Sequence, residues 1–224
     1  MVIMKKGILY VISAVVAVAA VCLLCRKPFS SFERTVIEKS DSLMYVLTMP
    51  EDSVILRNKS RDLTKRELRS NELKTLISKM LYSVQDPSQD GVGIAAPQVG
   101  LNLRLICVMR VDKIGAPFES YLNIKIDSLG GNVVTGPEGC LSVPPYRGMV
   151  KRHDRIKISY VRPGTLEKVT EDVEGYAAVI FQHECDHLDG ILYTDRADTV
   201  FVSEAWAAER EQFSYSKPSW WPDK

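Results

Sequence analysis

The segment FQHECDHLDG, residues 181–190, places two of the chain's three histidines within one short helical pattern. It ends a longer segment, 175–190, whose first two turns are apolar nearly all round, and this predicts a buried helix. Gly190 is a natural end for that helix. His183 and His187 would lie one turn apart on the same face, so both imidazoles could reach one metal ion.

The residue directly after the first histidine adds a group that can move protons. On a helix Glu184 lies about 100° round from His183, so its carboxylate can approach a water molecule on the ion without binding the ion. A metal ion lowers the pKa of such a water to about 7, and the carboxylate can then accept its proton. The segment therefore predicts metal-assisted hydrolysis. The alternative is an ordinary helix whose histidines are satisfied by polar neighbours.

The third ligand must come from elsewhere, and several candidates exist. H-E-x-x-H is typical of metalloproteases, but one protease pattern needs a histidine where this chain has Tyr193. Another protease pattern uses a downstream glutamate, for which Glu204 or Glu209 could serve. Cys140 lies in a tight turn flanked by Gly and Pro, GPEGCLSVPP (136–145), which could present a thiolate and leave a fourth position for water. The alternative for this cysteine is a small buried apolar side chain.

A glycine-rich segment, GVGIAAPQVG (91–100), contains G-x-G-x-x-A. A nucleotide-binding fingerprint follows a strand and opens a helix, whereas here a predicted strand comes afterwards, so a dinucleotide site is not indicated. The glycines allow backbone to approach a ligand closely, and Gln98 could donate a hydrogen bond to a developing oxyanion. The alternative is a glycine-rich turn around a buried glutamine.

The remaining pattern consists of short strands and few helices. One amphipathic helix is predicted at 71–84, with Ser70 or Asn71 as its N-cap. Because no regular alternation of strand and helix occurs, the sequence predicts an α+β domain. The strands are expected at 101–111, 120–127, 155–161 and 167–173, and a last helix at 203–213.

Composition limits the other classes of function. The 224 residues are 46% hydrophobic and 25% charged, with a net charge of +1, which suits one compact domain plus additional segments. The sequence contains no stripe of basic residues, so specific nucleic-acid binding is not predicted. Five scattered cysteines do not form a disulfide framework.

The N-terminus carries an uncharged apolar run, GILYVISAVVAVAAVCLLC, at residues 7–25. At about 1.5 Å per residue it is just long enough to cross a bilayer, so a membrane anchor is expected. Lipidation at Cys22 or Cys25 and a buried core helix are the alternatives. The predicted organisation is an anchor or signal-like segment at 1–27, a linker at 28–43, a catalytic domain at 44–202, and a C-terminal helix and tail at 203–224.

Three motifs in this order, GVGIAAPQ (91–98), EGCLS (138–142) and QHECDH (182–187), resemble those of the peptide deformylases over roughly residues 44–196. The resemblance implies an α+β fold with short antiparallel or mixed sheets around the buried helix that carries the histidines. It also implies an activity: hydrolysis of the N-formyl group from formylmethionyl peptides of newly made proteins, with release of formate.

The resemblance assigns a role to each motif residue. Glu184 would be general base and then general acid, while Gln98 and the backbone N–H of Leu141 would stabilise the oxyanion. The cofactor implied is one Fe(II), with Zn, Ni or Co able to substitute, although ligand softness alone favours Zn. The ion would be held by Cys140, His183 and His187.

The resemblance likewise implies a peptide-binding surface. An apolar pocket would take the methionine side chain, and the peptide backbone would pair as an added strand. Arg147 would order Glu138 or meet the peptide, and Arg152 is expected to pair with Asp186 near the first histidine. The predicted substrate-binding residues are Val92, Gly93, Ile94, Glu138, Gly139, Arg147, Tyr176, Val179 and Ile180.

The expected partners are the formylmethionyl peptide, the ribosome surface where new chains emerge, and a membrane reached through residues 7–25. The catalytic domain is expected on the cytoplasmic side of that membrane, where substrate appears. Export and lipid anchoring are the alternatives.

Overall fold

The computed structural model describes residues 27–89, 91–204 and 217–221. The chain divides into two compact units, Met1–Ser30 and Ser31–Lys224. All helices and strands below belong to the second unit.

The apolar run at 7–25, with Cys22 and Cys25, lies outside the described residues. Across the ranges that are described, no helix combines the length and apolarity that crossing a bilayer requires. The membrane anchor therefore stays a prediction.

Four helices and six strands make up the described domain. The helices are α1 (Ser31–Lys39), α2 (Ser53–Leu56), α3 (Asn71–Gln85) and α4 (Tyr176–Leu188). The strands are β1 (Gly93–Ala95), β2 (Leu105–Met109), β3 (Phe118–Gly139), β4 (Tyr146–Val161), β5 (Lys168–Glu174) and β6 (Thr199–Val202). Short 3-10 turns lie at Glu67–Arg69, Ala96–Val99 and Tyr193–Asp195.

The six strands form one sheet in the order β1-β2-β3-β4-β5, and every pair is antiparallel. Strand β4 is long enough for two partners, because β5 pairs with its C-terminal half and β6 with its N-terminal end. The α+β prediction is confirmed, with a single antiparallel sheet in place of several short or mixed ones.

Strands β3 and β4 are much longer than the predicted 120–127 and 155–161. Register shifts interrupt their pairing between Leu122 and Lys125, Ile126 and Ser128, and Gly130 and Val133. Each shift breaks the alternation of inward and outward side chains on which strand recognition depends. The second half of β3 is also largely exposed, so it lacks an apolar face.

Helix α4 packs against the sheet and forms the main core with it. Phe181 is fully buried and meets Tyr121 of β3 edge to face, with ring centroids 4.8 Å apart. Ala177, Ala178 and Leu188 of the helix are also fully buried. The buried helix predicted at 175–190 is confirmed, and it holds the two histidines rigidly.

Helix α3 confirms the second helix prediction, including its N-cap. The Ser70 hydroxyl accepts a hydrogen bond from the backbone N–H of Leu73 at 3.1 Å, which satisfies one of the free donors of the first turn. The helix predicted at 203–213 lies outside the described residues after Glu204.

The stretch predicted as a linker, 28–43, contains helix α1. Glu33 of α1 accepts a hydrogen bond from Arg61 at 2.7 Å, and Lys79 of α3 donates to the carbonyl of Ile37 at 2.7 Å. The polar residues that resembled a connecting segment thus form the outer face of a helix packed on α3.

Candidate metal centre

Cys140, His183 and His187 form a group in which one ligand atom of each lies within 4.8 Å of the others. Cys140 lies directly after β3, whereas both histidines belong to α4. The distance between Cys140 Sγ and His187 Nε2 is 3.2 Å. A cysteine sulfur and two imidazole nitrogens are a donor set that binds Zn, Fe and similar transition metals. Three protein ligands leave further coordination positions for water or substrate.

His183 is oriented by a buried carboxylate. Its Nδ1 lies 2.8 Å from Glu138 Oε2, which leaves Nε2 to face the metal group. Burial alone would lower the pKa of His183, but hydrogen bonds with Cys140 and Glu138 raise it well above the ordinary value. The negative charges that favour a proton at this position would favour a metal cation in the same way. A carboxylate behind a histidine ligand is a common support for protein metal sites.

His187 provides the second nitrogen from a fully enclosed ring. Burial, followed by the neighbouring charge of His183, lowers its pKa well below the ordinary value. A neutral imidazole keeps the lone pair that coordination needs. Its Nδ1 is buried without a hydrogen-bond partner in the described structure.

The Cys140 loop is fixed by backbone contacts on both sides. The Val143 N–H donates to the carbonyl of Cys140 at 2.9 Å, and the Ser142 N–H approaches Cys140 Sγ at 3.4 Å. The Met49 N–H donates to the carbonyl of Ser142 at 2.8 Å. The sulfur is therefore presented from a closed turn, as the flanking glycine and prolines predicted.

Behind Glu138 lies a chain of ion pairs that is buried at Arg152 and Asp186 and reaches the surface at Arg196. Arg152 donates to both oxygens of Glu138, at 2.8 and 3.0 Å, and to Asp186 at 2.5 Å. Arg196 donates to both oxygens of Asp186, at 2.6 and 2.7 Å. Burial would raise the pKa of Glu138, but Arg152 and then His183 outweigh it and hold that pKa at about 2. The predicted pair of Arg152 with Asp186 is confirmed.

Glu184 lies in the same cleft, against the glycine-rich segment. Its side chain is 3% exposed, and a Cβ added to Gly93 would come within 2.5 Å of its Oε1. The second carboxylate oxygen, Oε2, is buried without a hydrogen-bond partner in the described structure. Burial raises the pKa of Glu184 to about 7. A carboxylate in this state can both accept and release a proton near neutral pH.

Gln98 reaches the cleft from the 3-10 turn after β1. Its Oε1 accepts a hydrogen bond from the Ala95 N–H at 2.8 Å, which turns the amide nitrogen the other way. That nitrogen lies 3.6 Å from Cys140 Sγ and 3.3 Å from Ser142 Oγ. The glutamine is buried, as the alternative interpretation also expected, and its amide nitrogen faces the metal group.

A cavity of about 290 Å³ joins these groups. All of the candidate site residues line it except Ile94 and His187. Ile94 is fully buried in β1, where it pairs with Cys107 of β2, so its side chain packs in the protein interior and not in the cavity. The lining residues among the candidates are Val92, Gly93, Gln98, Glu138, Gly139, Cys140, Leu141, Arg147, Tyr176, Val179, Ile180, His183 and Glu184.

A second, more apolar cavity of about 530 Å³ shares Pro137, Glu138, Arg147, Tyr176 and Val179 with the first. Its far wall comes from facing positions on β3 and β4, where Val150 pairs with Gly136. Sequence reasoning missed this wall, because the Cys140 motif begins only at Gly136 and nothing in the pattern predicted the length of the strand pairing. The added wall residues include Val134, Gly136 and Val150.

Tyr193 and Cys107 lie outside the metal group found among the described residues. Tyr193 donates its hydroxyl to the carbonyl of Tyr146 at 2.8 Å, and its ring stacks on His183 with centroids 6.2 Å apart. The Cys107 thiol lies 3.4 Å from the Ser120 hydroxyl. Glu209 lies outside the described residues, and Glu204 is exposed.

The model of the polypeptide deformylase family matches residues 43–201. A peptide deformylase of Symbiobacterium thermophilum is 40% identical over 162 residues, which are 72% of this chain and 71% of that protein. A peptide deformylase of Leptospira biflexa is 38% identical over 63% of this chain and 82% of its own length.

Solved structures give the same result. The crystal structure of a class I type b peptide deformylase from Acinetobacter baumannii with Met-Ala-Ser bound has a TM-score of 0.62 and 36% identity. The match covers 69% of this chain and 98% of that one. A matching fold and a family model that spans most of the chain lead to one conclusion: the chain belongs to the polypeptide deformylase family.

Proposed function

We propose that this protein is a metal-dependent hydrolase that removes the N-formyl group from formylmethionyl peptides of newly made proteins and releases formate. One observation carries the proposal. Cys140 and His183 of the metal group line one cleft with a buried carboxylate, Glu184, and an amide donor, Gln98, and the third member, His187, lies 3.2 Å from Cys140 Sγ.

The metal ion would be held by Cys140 Sγ, His183 Nε2 and His187 Nε2. When bound, such an ion supplies Lewis acidity and lowers the pKa of water. We propose Fe(II) as the natural ion, with Zn, Ni or Co able to substitute, on the strength of the family resemblance. The sulfur and nitrogen donor set is compatible with each of them.

Glu184 would move the protons. Its carboxylate would accept a proton from the attacking water and deliver it to the departing amine, so one group serves both half-reactions. Gly93 supports this role. Because it has no side chain, its backbone lies so close to Glu184 that an added Cβ would clash with the carboxylate. The surrounding burial excludes bulk water that would compete for the proton.

Gln98 and the backbone N–H of Leu141 would stabilise the negative oxygen of the tetrahedral state. The bond from Ala95 to Gln98 Oε1 fixes the amide before substrate arrives, and a preorganised donor costs little rearrangement during reaction. Leu141 follows Cys140 in the closed turn, so its N–H would be held beside the metal group.

The substrate would be recognised by size and by an apolar side chain. A formyl carbon bears only hydrogen, so a narrow cleft can admit it and exclude larger acyl groups. The second cavity, with Tyr176 and Val179 on its helical wall, would take the methionine side chain, together with Ile180 from the first cavity. The Acinetobacter baumannii relative with Met-Ala-Ser bound supports a peptide of this type.

The peptide backbone would lie between the ends of β1 and β3. Val92 and Gly139 both line the cleft, and each continues a strand of the sheet. An extended peptide could form backbone hydrogen bonds with Val92 and Gly139 as an added strand. Arg147, which lines both cavities, would meet the peptide there.

We further propose that residues 7–25 attach the protein to a membrane with the catalytic domain on the cytoplasmic side. The length and apolarity of the run support this. The proposal also places the domain where chains leave the ribosome, whose surface would be a transient partner.

The test is formate release from formyl-Met-Ala under anaerobic conditions, because a thiolate-bound ferrous ion is prone to oxidation. It should use the full chain in detergent and a chain that begins at residue 28. We expect turnover by both proteins, and we expect Glu184→Gln to keep one metal ion per chain while losing at least about 100-fold in kcat. Fully metallated protein that releases no formate would refute the proposed activity.

A further inference from the structure

The described C-terminal residues, 217–221, return to the body of the domain and pack there. The Trp221 ring meets Tyr45 edge to face, with centroids 5.7 Å apart, and lies on the buried cluster of Leu47, Ile55 and Leu56. Nearby, Lys217 Nζ lies 2.5 Å from Asp52 Oδ1, and Asp52 is only 5% exposed. An aromatic contact and a partly buried ion pair thus fix the two ends of this short segment, which we name the C-terminal strap.

The strap lies directly on the turn that carries Gln98. Gly100 ends the 3-10 turn Ala96–Val99 in the left-handed region, with φ of +91°. A Cβ on Gly100 would come within 2.6 Å of the Trp221 indole, so the indole occupies the space that the missing side chain leaves. Only glycine satisfies both the backbone angle and this contact.

The residues under the strap also hold the two loops of the site. The Leu47 N–H donates to the carbonyl of Gln98 at 2.8 Å, and the Met49 N–H donates to the carbonyl of Ser142 at 2.8 Å. Tyr45, which Trp221 contacts, begins this same stretch. Trp221 therefore packs on two elements that hold the Gln98 backbone. One is the 3-10 turn that ends at Gly100, and the other is the stretch that begins at Tyr45 and is hydrogen-bonded to Gln98 through Leu47.

The upstream end of the same C-terminal segment contacts the other site loop. Strand β6 pairs with the start of β4, and the Ser203 N–H donates to the carbonyl of Pro145 at 3.1 Å. Pro145 closes the turn that presents Cys140. The C-terminal segment thus contacts the Cys140 loop at one end and the Gln98 turn at the other.

We propose that Trp221 is a positioning residue, whose docking on Gly100 and Tyr45 fixes the Gln98 amide for catalysis. The surface formed by Gly100 and Tyr45 is covered by the C-terminal strap of the same chain. The inference rests on the proposed function only for its catalytic consequence, since the docking itself is independent of the reaction. Losing an oxyanion donor outright costs about 100- to 1,000-fold in kcat, so loosening one should cost about tenfold.

Two adjacent tryptophans offer a matched comparison. Trp221→Ala removes the contact with Gly100, whereas Trp220→Ala removes an equally large side chain whose ring packs on Trp221 at 5.7 Å. Amide hydrogen exchange of the peptide spanning 95–101 is the first measurement, and it does not require activity. We expect faster exchange in Trp221→Ala, near-normal exchange in Trp220→Ala, and recovery in Trp221→Phe, which keeps a ring on the glycine.

Turnover of formyl-Met-Ala is the second measurement. We expect Trp221→Ala to lower kcat about tenfold with KM within about twofold and with full metal content, and to have no further effect in a Gln98→Ala background. Unchanged exchange at 95–101, or equal losses from both tryptophan variants, would overturn the inference. Additive losses in the double variant would overturn it as well. If the wild type released no formate, the proposed function would fail, and the exchange data would still decide whether the strap holds the turn.

Discussion

Glu138 and His183 are joined across two elements of the fold by a 2.8 Å contact between a carboxylate oxygen and a ring nitrogen. Glu138 comes from the end of β3 and His183 from the middle of α4. The contact determines which nitrogen of the ring faces the metal group. It also links the histidine through Arg152 to Asp186, on the next turn of the same helix.

Replacing Glu138 by alanine should therefore weaken metal binding. Without the carboxylate, the His183 ring loses its orientation and Arg152 loses its principal partner. We expect the affinity for Zn or Co to fall about 10- to 100-fold, as for other supports of metal-bound histidines. Competition with a chromophoric chelator measures this directly.

Asp198→Asn is the matched control for that variant. It also removes a carboxylate from an ion pair, with Lys151 at 2.7 Å, but both side chains are more than half exposed. We expect no change in metal affinity, since exposed pairs contribute little. Equal affinities for the wild type and Glu138→Ala would contradict the supporting role.

Cys140→Ala should abolish both metal binding and formate release, because the sulfur is one of only three ligands in the described group. Cys185→Ala is the control, since this cysteine is also buried in α4 but does not belong to that group. Metal content per chain, measured by elemental analysis, should fall to near zero in the first variant and stay near one in the second. A Cys140→Ala protein that kept its metal would favour the downstream-glutamate protease arrangement.

Much of the candidate site could be predicted, because its chemistry is encoded in short local patterns. The spacing of His183 and His187 places both rings on one face of a helix. Gly93 indicates that the backbone approaches another group closely, although the pattern does not say which group. Apart from the pair of Arg152 and Asp186, the pattern does not contain the hydrogen-bond partners of these groups. Arg152 reaches Glu138 because β4 pairs with β3, and Arg196 reaches Asp186 because the 3-10 turn after α4 brings the chain back to the helix.

The fold class could be predicted from the sequence, but the lengths of the strands could not. The bounds of α3 and α4 agree closely with the sequence pattern, because α3 keeps one apolar period over its length and the first two turns of α4 are apolar nearly all round. Strands β3 and β4 change register at successive bulges, and no single period describes them. The far wall of the second cavity depends on that pairing, which explains why Val134, Gly136 and Val150 were missed.

Gly93→Ala should reduce turnover with little loss of metal. The new methyl group would come within 2.5 Å of Glu184 Oε1 and 2.9 Å of its Cγ, so the carboxylate must move in a buried site. We expect kcat to fall at least about tenfold and stability by about 1–3 kcal/mol, as for other overpacked cores. Steady-state kinetics, thermal unfolding and metal analysis together measure these effects.

Gly130→Ala provides the comparison for that variant. At Gly130 the nearest atom to an added Cβ, the carbonyl oxygen of Arg155, lies 4.0 Å away, so no clash arises. Turnover within about twofold of the wild type is expected there. If Gly93→Ala were equally harmless, Glu184 could not depend on the close approach of the backbone.

Glu67 should make folding stability depend on pH in the acid range. Burial would raise its pKa, but hydrogen bonds from Arg61 and Thr64 outweigh burial, so the pKa of Glu67 is lowered in the folded state. A carboxyl with a lowered pKa binds its proton less readily when folded than when unfolded. Its stabilising contribution is therefore complete above the unfolded pKa of about 4.3 and is lost as the pH falls through the folded value.

Thermal unfolding of the wild type and Glu67→Gln from pH 7 to pH 3 measures this contribution. The difference in Tm should be largest near neutral pH and shrink below about pH 4.3, because the other carboxyl groups are common to both proteins and cancel. The 2.7 Å pair between Arg61 and Glu67, whose carboxylate is 2% exposed, supplies the physical reason. A Tm difference that stayed constant across this range would show that Glu67 acts through packing and not through its charge.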